Sequence, residues 1–332
     1  MRAIAVIDGE HYATVVRDAL AALPYEFVGA LLVGGTEKLR GGEGYGVPLV
    51  SSLDELEADA VVGTGKRVGK TAVTGHVARL LARDRDVVVV AMGRGGPAEP
   101  ELVEAAPTVD DLLALSRSGR HAASDHLEAA ALAGVVTIGC RRAGGGLAGT
   151  VSHSNVAAGA ELALSLEPDV VVFDGSGAAI PPVATSARIL VTTAGHDLDA
   201  YLNPYRVAIS DLVVGVGDVR GADVSVSLRL RPIQPLGGRR TAVFTTGAAP
   251  VEHLDAELVH VSRNLANREA LRAELPSIDA DVFVVELKAA AIDVVAEEAA
   301  ARGAELVLAA NDVSGDGLDD AILDLLPAKV PA

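Results

Sequence analysis

Hydrophobic residues in this chain occur in short continuous runs of Val, Ile and Leu, which alternate with Ala-rich stretches of helical spacing. Continuous apolar runs are typical of strands buried on both faces, and their alternation with helices favours parallel sheets with crossover helices. We therefore predict an α/β fold. In the first two thirds, the predicted strands are Ala3–Ile7, Phe27–Val33, Ala60–Val62, Val87–Met92, Val135–Ile138, Val170–Phe173, Ile189–Thr192 and Leu212–Val214. The predicted helices there are Tyr12–Leu23, Leu53–Glu57, Ala72–Leu81, Thr108–Ser116 and Asp125–Ala133.

One later strand has a different pattern. Val224–Leu230 alternates apolar and polar residues, which predicts a half-exposed edge strand, and Pro232 and Pro235 then indicate a linker. Beyond it, the predicted strands are Thr241–Thr245, Leu258–Val261, Val282–Val285 and Glu305–Leu308, with helices at Asn264–Glu274 and Ala290–Arg302. These patterns predict three units: a small N-terminal βαβ unit over residues 1–59, a mostly parallel core over 60–235 and a C-terminal α/β lobe over 236–332.

Charge and cysteine content exclude several classes of protein. A formal net charge of −17 argues against nucleic acid and anionic membrane surfaces as partners. The single cysteine, Cys140, excludes a disulfide framework within the chain, and no signal peptide or long apolar span is visible. We predict a cytoplasmic protein with no membrane partner. The Ala- and Gly-rich composition favours a homodimer.

A Gly-rich turn joins the predicted strand Ala60–Val62 to the helix that follows. Its residues are Gly63, Thr64, Gly65, Lys66, Arg67, Val68, Gly69, Lys70, Thr71 and Ala72. In a P-loop, backbone N–H groups of such a turn surround phosphate oxygens, the lysine reaches the β- and γ-phosphates and the hydroxyl holds Mg²⁺. The chain has only five lysines and two lie here, which argues against a chance match. We predict a P-loop NTPase core in which Lys70 binds phosphate and Thr71 binds Mg²⁺.

Asp174 follows the predicted strand Val170–Phe173 directly and begins the sequence Asp-Gly-Ser-Gly. Parallel α/β sheets bind ligands beyond the carboxyl ends of their strands, and an acid at such an end commonly organises Mg²⁺, often through water. We therefore predict Asp174 as a second Mg²⁺ residue. An aspartate that only caps a turn is the alternative.

Arginines are concentrated in Gly-rich segments near predicted strand ends. Arg94 lies in Gly-Arg-Gly-Gly-Pro, Arg120 follows Ser-Gly, and Arg141 and Arg142 precede Ala-Gly-Gly-Gly. Guanidinium groups bind phosphate or carboxylate through paired hydrogen bonds. In a chain of such negative charge, these four arginines predict a pocket for a small, multiply charged anion, although a solvated turn arginine is an alternative for Arg94.

Other polar side chains near these segments have roles that the sequence leaves open. His121 and Asp125 are candidates for substrate binding, metal binding or acid–base chemistry, but a helix N-cap at Ser124 explains the Ser124–Asp125 pair equally well. His153 is a further candidate substrate contact. Lys288 either contacts a ligand or forms an ion pair with Glu286. The scattered histidines and single cysteine predict no protein metal cage.

The spacing of the loop around Lys70 resembles that of dethiobiotin synthetase and its P-loop relatives. Nearly the whole chain resembles the cyclic 2,3-diphosphoglycerate synthetases. The motifs that carry this resemblance are Ile7–Tyr12, Gly63–Ala72, Gly93–Glu101, Gly119–Glu128, Arg141–Gly146, Ser262–Arg268 and Val285–Asp293. The Gly-Arg-Gly-Gly-Pro and Arg-Arg-Ala-Gly-Gly-Gly motifs are the most specific, because many unrelated enzymes share a P-loop.

The resemblance implies an ATP- and Mg²⁺-dependent ligase that closes 2,3-bisphosphoglycerate into an intramolecular phosphoanhydride and releases ADP and phosphate. Such chemistry depends on positioning and charge neutralisation. We assign it to the catalytic candidates Lys70, Arg94, Arg141 and Arg142. The substrate-binding candidates are Arg94, Arg120, His121, Asp125, Arg141, Arg142 and His153.

The front of the chain departs from the family. The predicted helix Leu53–Glu57 runs almost directly into Ala60–Val62, as though a segment of the N-terminal domain were missing. Two other functions therefore stay open. One is an ATP-dependent carboxylate-activating ligase like dethiobiotin synthetase, and the other is a non-catalytic, nucleotide-dependent switch.

Overall fold

A computed structural model of the chain describes residues 2–7, 12–23, 25–32, 44–47, 49–50, 61–62, 70–144, 151–199, 202–247 and 250–326. The predicted helix Leu53–Glu57 lies outside these ranges. The strands are β1 Arg2–Ile7, β2 Glu26–Leu32, β3 Leu49–Val50, β4 Val61–Val62, β5 Val87–Gly93, β6 Glu101–Val103, β7 Val136–Gly144, β8 Val151–Ser154, β9 Val170–Asp174, β10 Ile189–Thr193, β11 Leu212–Val216, β12 Val224–Pro232, β13 Arg240–Phe244, β14 Glu257–Ser262, β15 Val282–Glu286 and β16 Glu305–Ser314.

The helices are α1 Ala13–Ala22, α2 Lys70–Leu81, α3 Val109–Arg117, α4 Asp125–Ala133, α5 Val156–Leu164, α6 Asn203–Ala208, α7 Arg268–Glu274, α8 Glu297–Arg302 and α9 Leu318–Asp324. A 3₁₀ turn, Leu275–Ser277, follows α7, and a π-helical segment, Ala291–Ala296, leads into α8. None of the described helices is long and apolar enough to cross a bilayer. The α/β class predicted from the alternating runs is confirmed.

The N-terminal sheet has the order β3-β2-β1-β4, and all its strands are parallel. The sequence places Ala60–Val62 at the start of the second unit, whereas the structure pairs Val61–Val62 with β1. Hydrophobicity indicates that a strand is buried but not which neighbour it pairs with, because a short apolar strand fits either sheet.

The second sheet has the order β6-β7-β5-β9, with β8 added to β7. On its central strand β5, Val87, Val89 and Ala91 pack with the α2 side chains, while Val88, Val90 and Met92 face the core that includes α5. Successive residues of a strand point to opposite faces, so covering both faces requires an unbroken apolar run. The helices thereby fix the carboxyl end of β5, which carries Arg94.

The third sheet has the order β10-β11-β12-β16-β15-β13-β14 and joins strands from both sides of Pro235. Our prediction that Val224–Leu230 is an edge strand is wrong. β12 pairs with β11 in parallel and with β16 in antiparallel fashion, so it is central. Its alternating pattern is real, since Ser225, Ser227 and Arg229 are exposed. Alternation reports the exposure of a strand's faces and carries no information about its edges.

A cavity of about 620 Å³ separates β9 from β10. Within the described residues, β9 pairs only with β5 and β10 only with β11, so the facing edges of these two strands line the cavity. Helix α2 covers it through Val73, Val77 and Leu81. Lys70 and Asp174 lie at the end where the strands terminate.

Candidate functional site

Helix α2 begins at Lys70, next to the carboxyl ends of β5 and β9. Thr71 and Ala72 form part of its first turn. The remaining predicted nucleotide-binding residues lie outside the described residues and stay predictions: Gly63, Thr64, Gly65, Lys66, Arg67, Val68 and Gly69. The described part of the site therefore begins with the Lys70 side chain.

Several charges act on the Lys70 ammonium group. Burial is the main cause that lowers its pKa, and the guanidinium groups of Arg142 and Arg94 lower it further. The carboxylates of Asp174 and Asp125 oppose this effect. A cation held among other cations needs an anion, and phosphate oxygens would supply one. The structure thus brings five of the predicted site residues into electrostatic contact.

Asp174 is the last residue of β9 and its side chain is 3% exposed. The hydroxyl of Thr74, one turn into α2, donates a hydrogen bond of 2.9 Å to Oδ1. Burial and the nearby Asp125 raise the pKa of Asp174 to about 6, despite the attraction of Lys70. A buried carboxylate with a raised pKa gains free energy when a cation neutralises it.

Asp125 is the first residue of α4. The absence of a side chain at Gly93, the last residue of β5, allows α4 to lie close to this strand. A Cβ at Gly93 would lie 3.2 Å from Oδ2 of Asp125. The sequence did not decide whether the Ser124 side chain caps this helix. Ser124 does precede α4, but its hydroxyl contacts Nδ1 of His126 at 3.1 Å instead of capping the helix. Burial lowers the pKa of His126 to about 4, so this histidine is neutral at pH 7.

Arg142 and Arg141 lie on opposite faces of β7, because side chains alternate along a strand. Arg142 is 1% exposed, and its guanidinium donates to the carbonyl oxygen of Ser176 at 2.6 Å and to Gly144. Arg141 instead donates to Oδ2 of Asp18 in α1 at 2.6 Å. The structure therefore separates two arginines that the sequence grouped together.

The other predicted contacts are more dispersed. Arg120 is exposed and forms an ion pair with Glu101 on β6. Nδ1 of His121 lies 2.6 Å from the hydroxyl of Tyr12. His153 lies on β8, opposite Ala143 in the backbone register. None of these three residues acts electrostatically on Lys70 among the described interactions.

Sequence reasoning missed the partner of Lys288. We offered Glu286, but Nζ of Lys288 donates to both carboxylate oxygens of Glu128 at 2.7 and 3.0 Å. Glu286 accepts instead from Thr246 and Asn311. The signal was a glutamate on the apolar face of α4, since a buried acid is almost always paired. This ion pair ties the C-terminal lobe to α4 beside Asp125.

The residues present fit a magnesium ion in the donor chemistry that they offer. Among the described residues, no group of three or more His, Cys, Asp or Glu is placed to hold a metal. Mg²⁺ does not require such a cage, because it keeps several waters and binds one or two carboxylates together with substrate phosphates. The Asp174 carboxylate and the Thr71 hydroxyl supply hard oxygen donors of this kind.

Comparison with known proteins gives three domain matches in chain order. The N-terminal domain of cyclic 2,3-diphosphoglycerate synthetase matches residues 2–74, its P-loop domain matches 58–219 and its C-terminal domain matches 232–312. A cyclic 2,3-diphosphoglycerate synthetase from Rubrobacter xylanophilus is 38% identical, over 99% of this chain and 98% of that protein. The chain belongs to the cyclic 2,3-diphosphoglycerate synthetase family. A relative of the same name from Thermococcus gammatolerans is 42% identical, over 80% of this chain and 69% of that protein.

This chain is shorter than the alignment with the Rubrobacter protein. The alignment with the Rubrobacter protein extends over 434 positions, so the 332 residues here leave about 100 of those positions without a counterpart. The matches to the N-terminal and P-loop domains also overlap over residues 58–74. A solved structure of LpxK from Aquifex aeolicus in complex with ATP has a TM-score of 0.48, at 13% identity over 80% of this chain and 87% of that one. That likeness is too remote to inform the site.

Proposed function

We propose that this chain is an ATP-dependent ligase that converts 2,3-bisphosphoglycerate into cyclic 2,3-diphosphoglycerate, ADP and phosphate. The observation that carries the proposal is the convergence of Lys70, Arg94 and Arg142 beside the buried Asp174. A reaction that joins two phosphates of one small molecule needs this concentration of positive charge, because its reactants repel each other.

In the proposed reaction, one substrate phosphate accepts the γ-phosphoryl group of ATP, which breaks the bond to ADP. An oxygen of the other substrate phosphate then attacks the activated phosphorus in line. Inorganic phosphate leaves, and the new P–O–P bond closes the ring. The protein contributes positioning and charge neutralisation rather than covalent chemistry.

We assign the residues as follows. Lys70 binds the β- and γ-phosphates together with the predicted loop over 63–69. Arg94 faces Lys70 from the end of β5 and binds the transferred group. Arg142, which is fully buried, holds the turn at Ser176 and thereby positions the end of β9. Mg²⁺, held by Thr71 and Asp174, would neutralise phosphate charge.

Arg120, His121, Asp125 and His153 remain proposed substrate contacts. Of these, Asp125 is the one in electrostatic contact with Lys70. Arg141 forms an ion pair with Asp18, so a contact between Arg141 and the substrate requires that pair to open. We also propose that the enzyme acts in the cytoplasm as a homodimer. The boundaries 1–59, 60–235 and 236–332 stay our proposed units, with the reservation that β4 pairs with the first of them.

The decisive experiment measures ADP release with and without 2,3-bisphosphoglycerate, followed by phosphorus NMR of the product. We expect ADP release to depend on this substrate, and a cyclic product whose two phosphorus atoms share one bridging oxygen. ADP release that a carboxylate substrate stimulates equally well would favour the dethiobiotin-synthetase-like alternative. Nucleotide binding without turnover would favour the switch.

A further inference from the structure

A second, polar cavity of about 750 Å³ lies where three parts of the chain meet. Tyr12 contributes from the start of α1, Arg120 and His121 from the connection between α3 and α4, and Asn267, Arg268 and Arg272 from the C-terminal lobe. We call it the junction cavity. Its volume is in the range of cavities that hold small-molecule ligands.

The junction cavity is richer in cations than the protein as a whole, whose net charge is −17. Three arginines line it, against the two carboxylates of Glu269 and Asp293. Arg268 donates to Oδ2 of Asp293 at 2.8 Å, whereas Arg272 forms no ion pair or hydrogen bond with any residue that the structure describes. Arg272 is therefore the group that is available to an anionic ligand.

Tyr12 and His121 contact each other at the junction cavity. The hydroxyl of Tyr12 contacts Nδ1 of His121 at 2.6 Å, and the two rings lie 4.5 Å apart. A tyrosine hydroxyl can donate to a histidine nitrogen or accept from it, and the tautomer of His121 decides which. The contact fixes the position of the His121 ring at the wall of the junction cavity.

A single turn separates the junction cavity from the Lys70 site. A Cβ at Gly95 would lie 2.4 Å from the Tyr12 ring and 3.1 Å from His121. Two residues earlier, Gly93 lies against Asp125, which acts electrostatically on Lys70. Gly93 and Gly95 are two residues apart, so their Cα atoms lie at most roughly 7 Å from each other. The two sites are thus close enough for a ligand of the length of a phosphorylated three-carbon acid to extend from one toward the other.

We propose that the junction cavity binds the phosphorylated carboxylate substrate, with Arg272 and Arg268 of the C-terminal lobe contacting its anionic groups. This inference rests on the proposed function, because it names the substrate from that reaction. The C-terminal lobe then forms one wall of the substrate site, opposite the wall formed by Arg120 and His121. The Asp293 carboxylate competes with the ligand for Arg268 until the ligand displaces it.

The test is a phosphorus NMR titration of 2,3-bisphosphoglycerate in the presence of AMP-PNP, a non-hydrolysable ATP analogue. We expect Arg272→Gln to weaken binding at least about tenfold, as the loss of one hydrogen bond to a charged group predicts. Arg229→Gln is the matched control, since Arg229 is exposed and unpaired among the described residues but lies on β12, outside the cavity. It should change binding by less than about twofold. Asp293→Asn should tighten binding, because it releases Arg268.

Each outcome bears on the inference. Unchanged binding by Arg272→Gln, or no binding by the wild-type protein, overturns it. A wild-type enzyme with substrate-dependent ADP release and an unchanged KM in Arg272→Gln would leave the proposed function intact and remove the cavity from it. Binding that Arg272→Gln weakens, without ADP release by the wild type, would support the cavity and refute the reaction.

Discussion

Two half-buried lysines of this protein have opposite electrostatic environments. Lys288 contacts both oxygens of Glu128, and although burial lowers its pKa, the attraction and hydrogen bond of Glu128 outweigh burial and raise it. Lys70 lies near Asp174 and Asp125 but forms no ion pair with either one, and its pKa is lowered. We interpret the difference as one of role: Lys288, with its close carboxylate, stabilises the fold, and Lys70, with more distant carboxylates and two nearby arginines, is our candidate for binding a ligand.

The largest expected effect comes from removing Lys70. Lys70→Ala should lower substrate-dependent ADP release by about 10³-fold, the upper range for losing one preorganised donor to a developing charge. Its melting temperature should not fall, because the desolvated ammonium group of Lys70 forms no ion pair with any residue that the structure describes. ADP release and a thermal melt of the same preparation check both statements. A strongly destabilised Lys70→Ala would show that Lys70 has a structural role like that of Lys288.

Removing Lys288 should instead lower the stability of the fold, because Lys288 forms an ion pair with Glu128. Lys288→Met leaves Glu128 as an uncompensated buried charge, so we expect the free energy of unfolding to fall by about 3–5 kcal/mol. The double variant Glu128→Gln/Lys288→Met removes both charges and should recover most of this loss. Urea unfolding of the two variants measures the difference. Equal stability of the single and double variants would contradict the role of the ion pair.

Protonation of Asp174 gives a further test of the Lys70 site, through the pH dependence of nucleotide binding. The pKa of about 6 means that a proton competes with Mg²⁺ below that pH, so metal-dependent nucleotide binding should be about tenfold weaker at pH 5 than at pH 7.5. Titration of the nucleotide at several Mg²⁺ concentrations measures this. Asp174→Asn should remove the part of the pH dependence that exceeds the titration of the nucleotide's own terminal phosphate. A wild-type profile that stays flat would place the metal elsewhere.

The same pKa has a consequence for stability without ligands. A carboxyl group whose pKa is raised in the folded state binds its proton more tightly there than in the unfolded chain. Its contribution therefore favours folding at low pH and is lost as the pH rises from about 4 to about 6. Asp174→Asn should be more stable than the wild type above pH 6 and show no gain below pH 4, which unfolding at both pH values checks.

The sequence predicted the local features of this structure but not the contacts between distant segments. The strands β5 and β9 were predictable because a continuous apolar run is a local property, and so was the placement of Asp174 at the carboxyl end of β9. The pairing of β12, the partner of Lys288 and the separation of Arg141 from Arg142 were not predictable. Each of these depends on which distant segment packs against a strand, and adjacent residues of one strand face different neighbours.

The smallest expected effect concerns Arg141, which the sequence placed in the substrate pocket. Its guanidinium binds Asp18, and the Arg141 side chain is 10% exposed but the Asp18 side chain is 49% exposed, so water reaches the ion pair from the Asp18 side. Arg141→Gln should therefore lower stability by no more than about 1 kcal/mol and change the KM for 2,3-bisphosphoglycerate by less than about threefold. Asp18→Asn, which removes only the partner, is the control and should behave alike. A tenfold rise in KM for Arg141→Gln alone would mean that Arg141 leaves Asp18 and contacts the substrate during turnover.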